Sequence, residues 1–185
     1  PLLLHPRRRK DAPEARGAKQ QRRRGEDGHE GVKALVCGYG NPFRTDDGVG
    51  HVLAPAVAEM ISSLGGEAEV RLEHQLLPEM AEEFGEYDLL VFADARVPGT
   101  GSGDGYDIRE ISPDPALEGL NIHSVGPEWV LALAAAIGGY VPPAVLVSVE
   151  GASFDFGEGL TAACMKRMEN ALSAFEEWLR DRNLK

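Results

Sequence analysis

The side chains best able to do chemistry in this sequence are two adjacent aspartates, Asp46 and Asp47, a third aspartate, Asp94, and a histidine, His123. The pair stands in Gly38–Gly50 (GYGNPFRTDDGVG), Asp94 closes the apolar run VFAD, and His123 lies in LNIHSVGP, just ahead of a helical pattern. Asn41, in the first motif, and His74, in EHQLLPE, are further polar candidates. An acid at the end of an apolar strand is costly to desolvate unless it meets a cation or a donor. Two carboxylates and one imidazole form a mixed donor set suited to a divalent transition metal such as nickel or zinc, with coordination positions left open. Each group also has a plainer use. Asp46 or Thr45 suits a helix N-cap, where acids offset the macrodipole. Asp94 suits a turn acid bound to nearby amides, and the two histidines suit turn or strand positions. A cap does not require two consecutive aspartates followed by GVG. The set points to a ligand site where its members alone do not.

Other chemistries find less support. The dinucleotide pattern GxGxxG fails because Phe43 stands where the third glycine belongs, and no Walker-type loop is present. Adjacent carboxylates at a helix mouth repel a phosphate, which disfavours a flavodoxin-like mononucleotide binder. There is no GxSxG elbow. Cys37, inside a strand pattern, and Cys164, on a helical apolar stripe, read as core. His5, His29 and His51 read as incidental.

The elements that must position these groups alternate along the chain. Strands are expected at Val32–Cys37, Glu69–Gln75, Leu89–Ala93, 106–111 and Ala144–Val149. Helices are expected at 46–63, Pro78–Phe84, Pro127–Ile137 and 160–180. The first long helix carries the stripe Val49, Val52, Leu53, Ala56, Val57, Met60 and Ile61. Leu89–Ala93, nearly all apolar, is expected at the centre of the sheet. The alternation predicts an α/β fold, a three-layer α/β/α sandwich with a mostly parallel twisted sheet. Ligand sites in such sheets lie beyond the carboxyl ends of the strands, where Asp47, Asp94 and His123 each follow a different strand.

Composition agrees with one soluble domain. The chain has 185 residues, 43% hydrophobic and 26% charged, and a net charge of −11 that makes nucleic acid an unsuitable partner. Two cysteines give no disulfide framework and fit a reducing, cytoplasmic compartment. No apolar run reaches the roughly 18 residues of a membrane span. Residues 1–30 carry nine of the basic residues and almost no large apolar ones, and are expected to be a disordered basic extension to a domain spanning 31–185.

The segment Gly38–Gly50 resembles the signature of the hydrogenase maturation proteases, endopeptidases that trim the C-terminus of the nickel–iron hydrogenase large subunit. The resemblance continues through His74–Glu79, Tyr87–Asp88 and the strand to Asp94–Ala95, His123–Ser124, Val145–Gly151 and Gly157–Leu160. It covers about 31–180 in order, and residues 1–30 have no counterpart in it. It implies metal engagement by Asp47, where many members carry Glu, by Asp94, where Ala93 replaces the more usual Val, and by His123. It implies Asp47 and Asp94 as the catalytic acids, with Asn41, Asp46 and His74 as candidate substrate contacts. The implied metal is nickel supplied by the precursor, and zinc or cadmium could occupy the same ligands in vitro. The implied partner is the precursor large subunit, met in the cytoplasm by a monomer, without nucleic acid or membrane. The alternative is a nickel-binding assembly module that recognises the immature subunit without cutting it, with the same three ligands.

Overall fold

The short apolar runs become the strands of one sheet, and the periodic segments become its covering helices. The computed structural model describes residues 31–101, 103–114 and 126–182. His123 and the basic segment 1–30 lie outside them. In chain order the elements are β1 (Lys33–Tyr39), α1 (Val49–Ser63), β2 (Glu67–Glu73), β3 (Leu89–Arg96), β4 (Tyr106–Ile111), α2 (Pro127–Ala136), β5 (Ala144–Glu150) and α3 (Ala162–Asp181). The strand order is β2-β1-β3-β5-β4. β4 runs antiparallel to β5, and the other pairs are parallel. β3 is central, and its apolar run Leu89–Ala93 is wholly buried.

Alternation along the strands divides the core in two. Ala34, Val36, Val91, Val145 and Val147 pack on one face, under α1 and α3. Leu35, Cys37, Leu90, Phe92 and Leu146 pack on the other, under α2 and the 3-10 turns Pro78–Glu82 and Phe84–Glu86. These are the three layers expected from the sequence, and both cysteines are buried within them. No helix among the described residues is long and apolar enough to cross a membrane.

Local expectations are corrected in two elements, β2 and α1. The second strand starts at Glu67 rather than 69 and ends before His74. Its Val70 and Leu72 stay largely exposed because β2 is an edge strand, covered on one side only. In α1 the buried stripe is Val49, Leu53, Val57 and Ile61 with Ala54 and Ala58, whereas Val52 is 47% exposed. The helix also starts later than expected, because Thr45–Gly48 forms a 3-10 turn before α1 begins at Val49.

β2 lies on one side of β1, and β3, β5 and β4 lie on the other. The chain therefore changes direction across the sheet between β1 and β3, and in open α/β sheets the place beyond the carboxyl ends of two such strands is where a ligand crevice forms.

Candidate functional site

Asp94 lies one residue past the last β1–β3 register pair, Gly38 with Ala93, which brings it beside Tyr39 at the end of β1. Strand alternation puts both on the face of Leu35, Cys37, Leu90 and Phe92. The Tyr39 hydroxyl faces the Asp94 carboxylate and, as a donor, draws its pKa down. The Ala95 amide donates to Asp94 Oδ1 at 2.7 Å. Burial dominates the electrostatics of Asp94, which is raised to about 7. The two donors pull in the opposite direction, and the nearby charge of Asp47 adds to the rise. Tyr39 is itself pushed up, first by burial and then by the charge of Asp94, so it keeps its proton and remains a donor.

Asp47 comes to the same place from the turn that follows β1. The Asn41 amide donates to its Oδ2 at 3.0 Å. Glycine makes that turn possible: Gly40 has φ of 125°, and a Cβ there would stand 2.0 Å from the Asp47 carbonyl oxygen. Gly50 does the same for the helix. A Cβ on it would meet the carbonyl oxygens of Tyr39 and Ala93 at 2.4 and 2.5 Å, so α1 can start directly over the ends of β1 and β3 only with glycine.

Asp46 does not cap its own helix, and its carboxylate is turned into the protein rather than toward solvent. Its side chain is 0% exposed. Oδ2 accepts the amides of Ala152 (2.7 Å) and Ser153 (3.0 Å) and the Thr161 hydroxyl (2.8 Å), and Oδ1 accepts the Thr161 amide (2.7 Å). Burial alone would raise its pKa, but the four donors prevail and hold it below the usual carboxylate range. The physical reason is direct: the donors that enclose this carboxylate come from other segments of the chain. Asp46 instead joins the β1 turn to the segment after β5 and to the first turn of α3.

The Asn41 side-chain oxygen accepts the Phe43 amide at 3.0 Å, closing the turn on itself. His74 is exposed just beyond β2. Its ring lies 6.3 Å from that of His51. His51, read as incidental from the sequence, is not so: its Nε2 lies 2.9 Å from the Gly40 carbonyl and 3.1 Å from that of Glu73. As the Nε2–H tautomer it ties the site turn to the end of β2. Tyr39 is the other residue that sequence reading missed. A tyrosine at a strand end looks like core, and only the β1–β3 register shows that it faces Asp94.

Among the described residues no three His, Cys, Asp or Glu side chains form a metal-binding group. The third expected donor, His123, lies outside those residues. The described part of the site is thus two carboxylates, Asp47 from the turn before α1 and Asp94 from the end of β3, the second desolvated and with its pKa raised to about 7. A divalent cation entering there would displace the proton of Asp94 and relieve the repulsion between the pair.

No family model matches the sequence, and no curated protein does. Solved structures match the fold. The hydrogenase maturating endopeptidase HybD from E. coli is 22% identical, with 82% of this chain and 94% of that one covered and a TM-score of 0.61. An endopeptidase from Escherichia coli, solved in solution, is 25% identical, with 83% and 96% covered and a TM-score of 0.61. The NiFe hydrogenase maturation protease HybD from Thermococcus kodakarensis is 13% identical, with 80% and 99% covered and a TM-score of 0.52. This chain therefore shares the α/β fold of the hydrogenase maturation proteases, the family its motifs resemble.

Proposed function

We propose that this chain, built on the fold of the hydrogenase maturation endopeptidases, is an endopeptidase that removes the C-terminal extension from the nickel-loaded large-subunit precursor of a nickel–iron hydrogenase. The observation that carries the reading is the approach of Asp47, in the turn before α1, to Asp94, near the end of β3, close enough for its charge to raise the Asp94 pKa, at the switch point of that fold. Nickel on this reading belongs to the substrate, and Asp47, Asp94 and His123 engage it when the precursor docks. The ion supplies Lewis acidity toward a carbonyl or a water. The chain's own groups do the rest. Asp94, held by Tyr39 and Ala95, gives up its proton as the cation approaches. Asp47, steadied by the Asn41 amide, offers a carboxylate beside it. One of the two takes the proton of the attacking water. The protein acts as a cytoplasmic monomer without nucleic acid or membrane, in keeping with its net charge of −11.

The test is the intact mass of a nickel-loaded precursor before and after incubation with this protein. The expected result is loss of one C-terminal peptide, absent with nickel-free precursor and with Asp47→Ala. Cleavage at the normal rate by Asp47→Ala would overturn the assignment. An unchanged mass, with a complex still forming, would favour the non-cleaving assembly module.

A further inference from the structure

Two phenylalanines stand in water beside the acidic site. Phe43, in the turn that carries Asp47, is 57% exposed, and Phe156, in the segment after β5, is 89% exposed. A folded chain has little reason to leave one aromatic ring so bare, and less to leave two on adjoining segments.

Their backbones are firmly held. The Gly157 amide donates to the Phe43 carbonyl at 3.0 Å, and the Thr45 amide donates to the Gly157 carbonyl at 2.9 Å, a short parallel bridge between the two segments. The Thr45 hydroxyl donates to the Ser153 carbonyl at 2.7 Å, and Arg44 Nε to the Phe154 carbonyl at 3.1 Å. Thr45 takes φ of 46°, a left-handed conformation that a branched side chain adopts only where its surroundings impose it. Beneath them Asp46 ties the same two segments together. Fixed, exposed aromatics of this kind suit a binding hot spot, because little conformational entropy remains to be lost when a partner covers them.

Charge narrows the partner. Arg44, the basic residue of the bridge, donates to the Phe154 carbonyl and lies 5.9 Å from the Phe156 ring centre. The exposed acids Asp155 and Glu158 flank Phe156 in sequence, and Asp47 follows Phe43 in the same turn. A complementary segment is apolar where it meets the rings and positively charged beside them.

We propose that Phe43 and Phe156 form a preformed docking rim that grips an apolar, positively charged segment of the polypeptide substrate next to Asp47 and Asp94. This rests on the endopeptidase reading above for the identity of the substrate, while the rim itself stands on its own geometry.

The test compares wild type with Phe43→Ala/Phe156→Ala, and with Phe43→Leu/Phe156→Leu as the conservative pair. The substrates are the nickel-loaded precursor and an array of short peptides tiled across that precursor and across an unrelated protein. For the precursor, the alanine pair should raise KM about tenfold or more, leave kcat little changed and leave the melting temperature as in wild type, with leucine restoring most of the loss. An unchanged KM would overturn the rim. If wild type neither binds nor cuts the precursor, the endopeptidase reading fails and the array decides about the rim. Retention of peptides combining apolar and basic residues by wild type, lost in the alanine pair, supports it. No retention by wild type, or equal retention by both, overturns it.

Discussion

Asp46 and Thr161, 115 residues apart in sequence, are joined twice: the Thr161 amide donates to one carboxylate oxygen at 2.7 Å and its hydroxyl to the other at 2.8 Å. The same hydroxyl accepts the Cys164 amide at 3.2 Å, so the N-cap of α3 is itself braced by an acid from the far end of the domain. The residue next to Asp46 is Asp47, and the position of the site thus depends on this clasp.

Removing the clasp should cost stability. Asp46→Ala leaves the amides of Ala152, Ser153 and Thr161 without their acceptor, and about 2–3 kcal/mol should be lost. Thr161→Val removes one hydroxyl from both bonds and should cost about 1–2 kcal/mol. Urea denaturation of the two variants and their combination measures this, and the double variant should lose less than the sum.

The acid limb of stability follows from the same group. The Asp46 pKa is depressed in the folded state, so its contribution is present above the unfolded value near 3.8 and is lost as pH falls through the folded value. Asp46→Asn should therefore lie well below wild type in stability at neutral pH, with the gap closing toward pH 2. Melting temperature against pH reads it.

Asp94 has the opposite sign. Its folded pKa, about 7, exceeds the unfolded value of 3.8. The unfolded state holds fewer protons on this group across that window, so stability falls as pH rises from 4 to 7. Asp94→Asn should be more stable than wild type at pH 8, on the order of 2 kcal/mol after allowance for partial solvation, and equal to it near pH 4. Added nickel should stabilise wild type at pH 8 and not the variant.

Tyr39 faces Asp94 and lowers the pKa of its carboxyl group. Tyr39→Phe removes the donor, and the carboxyl resonance of Asp94 should titrate at a higher pH than in wild type. Carbon NMR of labelled aspartate reads the shift, and an unmoved midpoint would exclude this role. Nickel binding by calorimetry should weaken, by about tenfold, because an outer partner that orients a ligand is lost.

The legible parts of this protein were those written locally. Leu89–Ala93 shows as a central strand because a strand covered on both faces needs no polar alternation. The α3 stripe of Cys164, Ala171, Phe175 and Leu179 shows because helical spacing and burial coincide along it. The edges read less well. Val70 and Leu72 alternate like half-buried residues yet stand exposed, since edge position depends on what lies beside a strand. In the site, Asp47 and Asp94 were found by type and by their place after strands.

By itself, the sequence determined the α/β alternation, the central strand and the two acids of the site, because propensity, periodicity and the rule for strand ends are properties of short segments. Tertiary structure alone decided that Asp46 is a clasp, though it is adjacent and chemically identical to Asp47. It also decided that Tyr39 faces Asp94 and that His51 joins two turns. The physical reason is that a carboxylate's role is set by the donors around it, and those donors come from segments that only folding brings together.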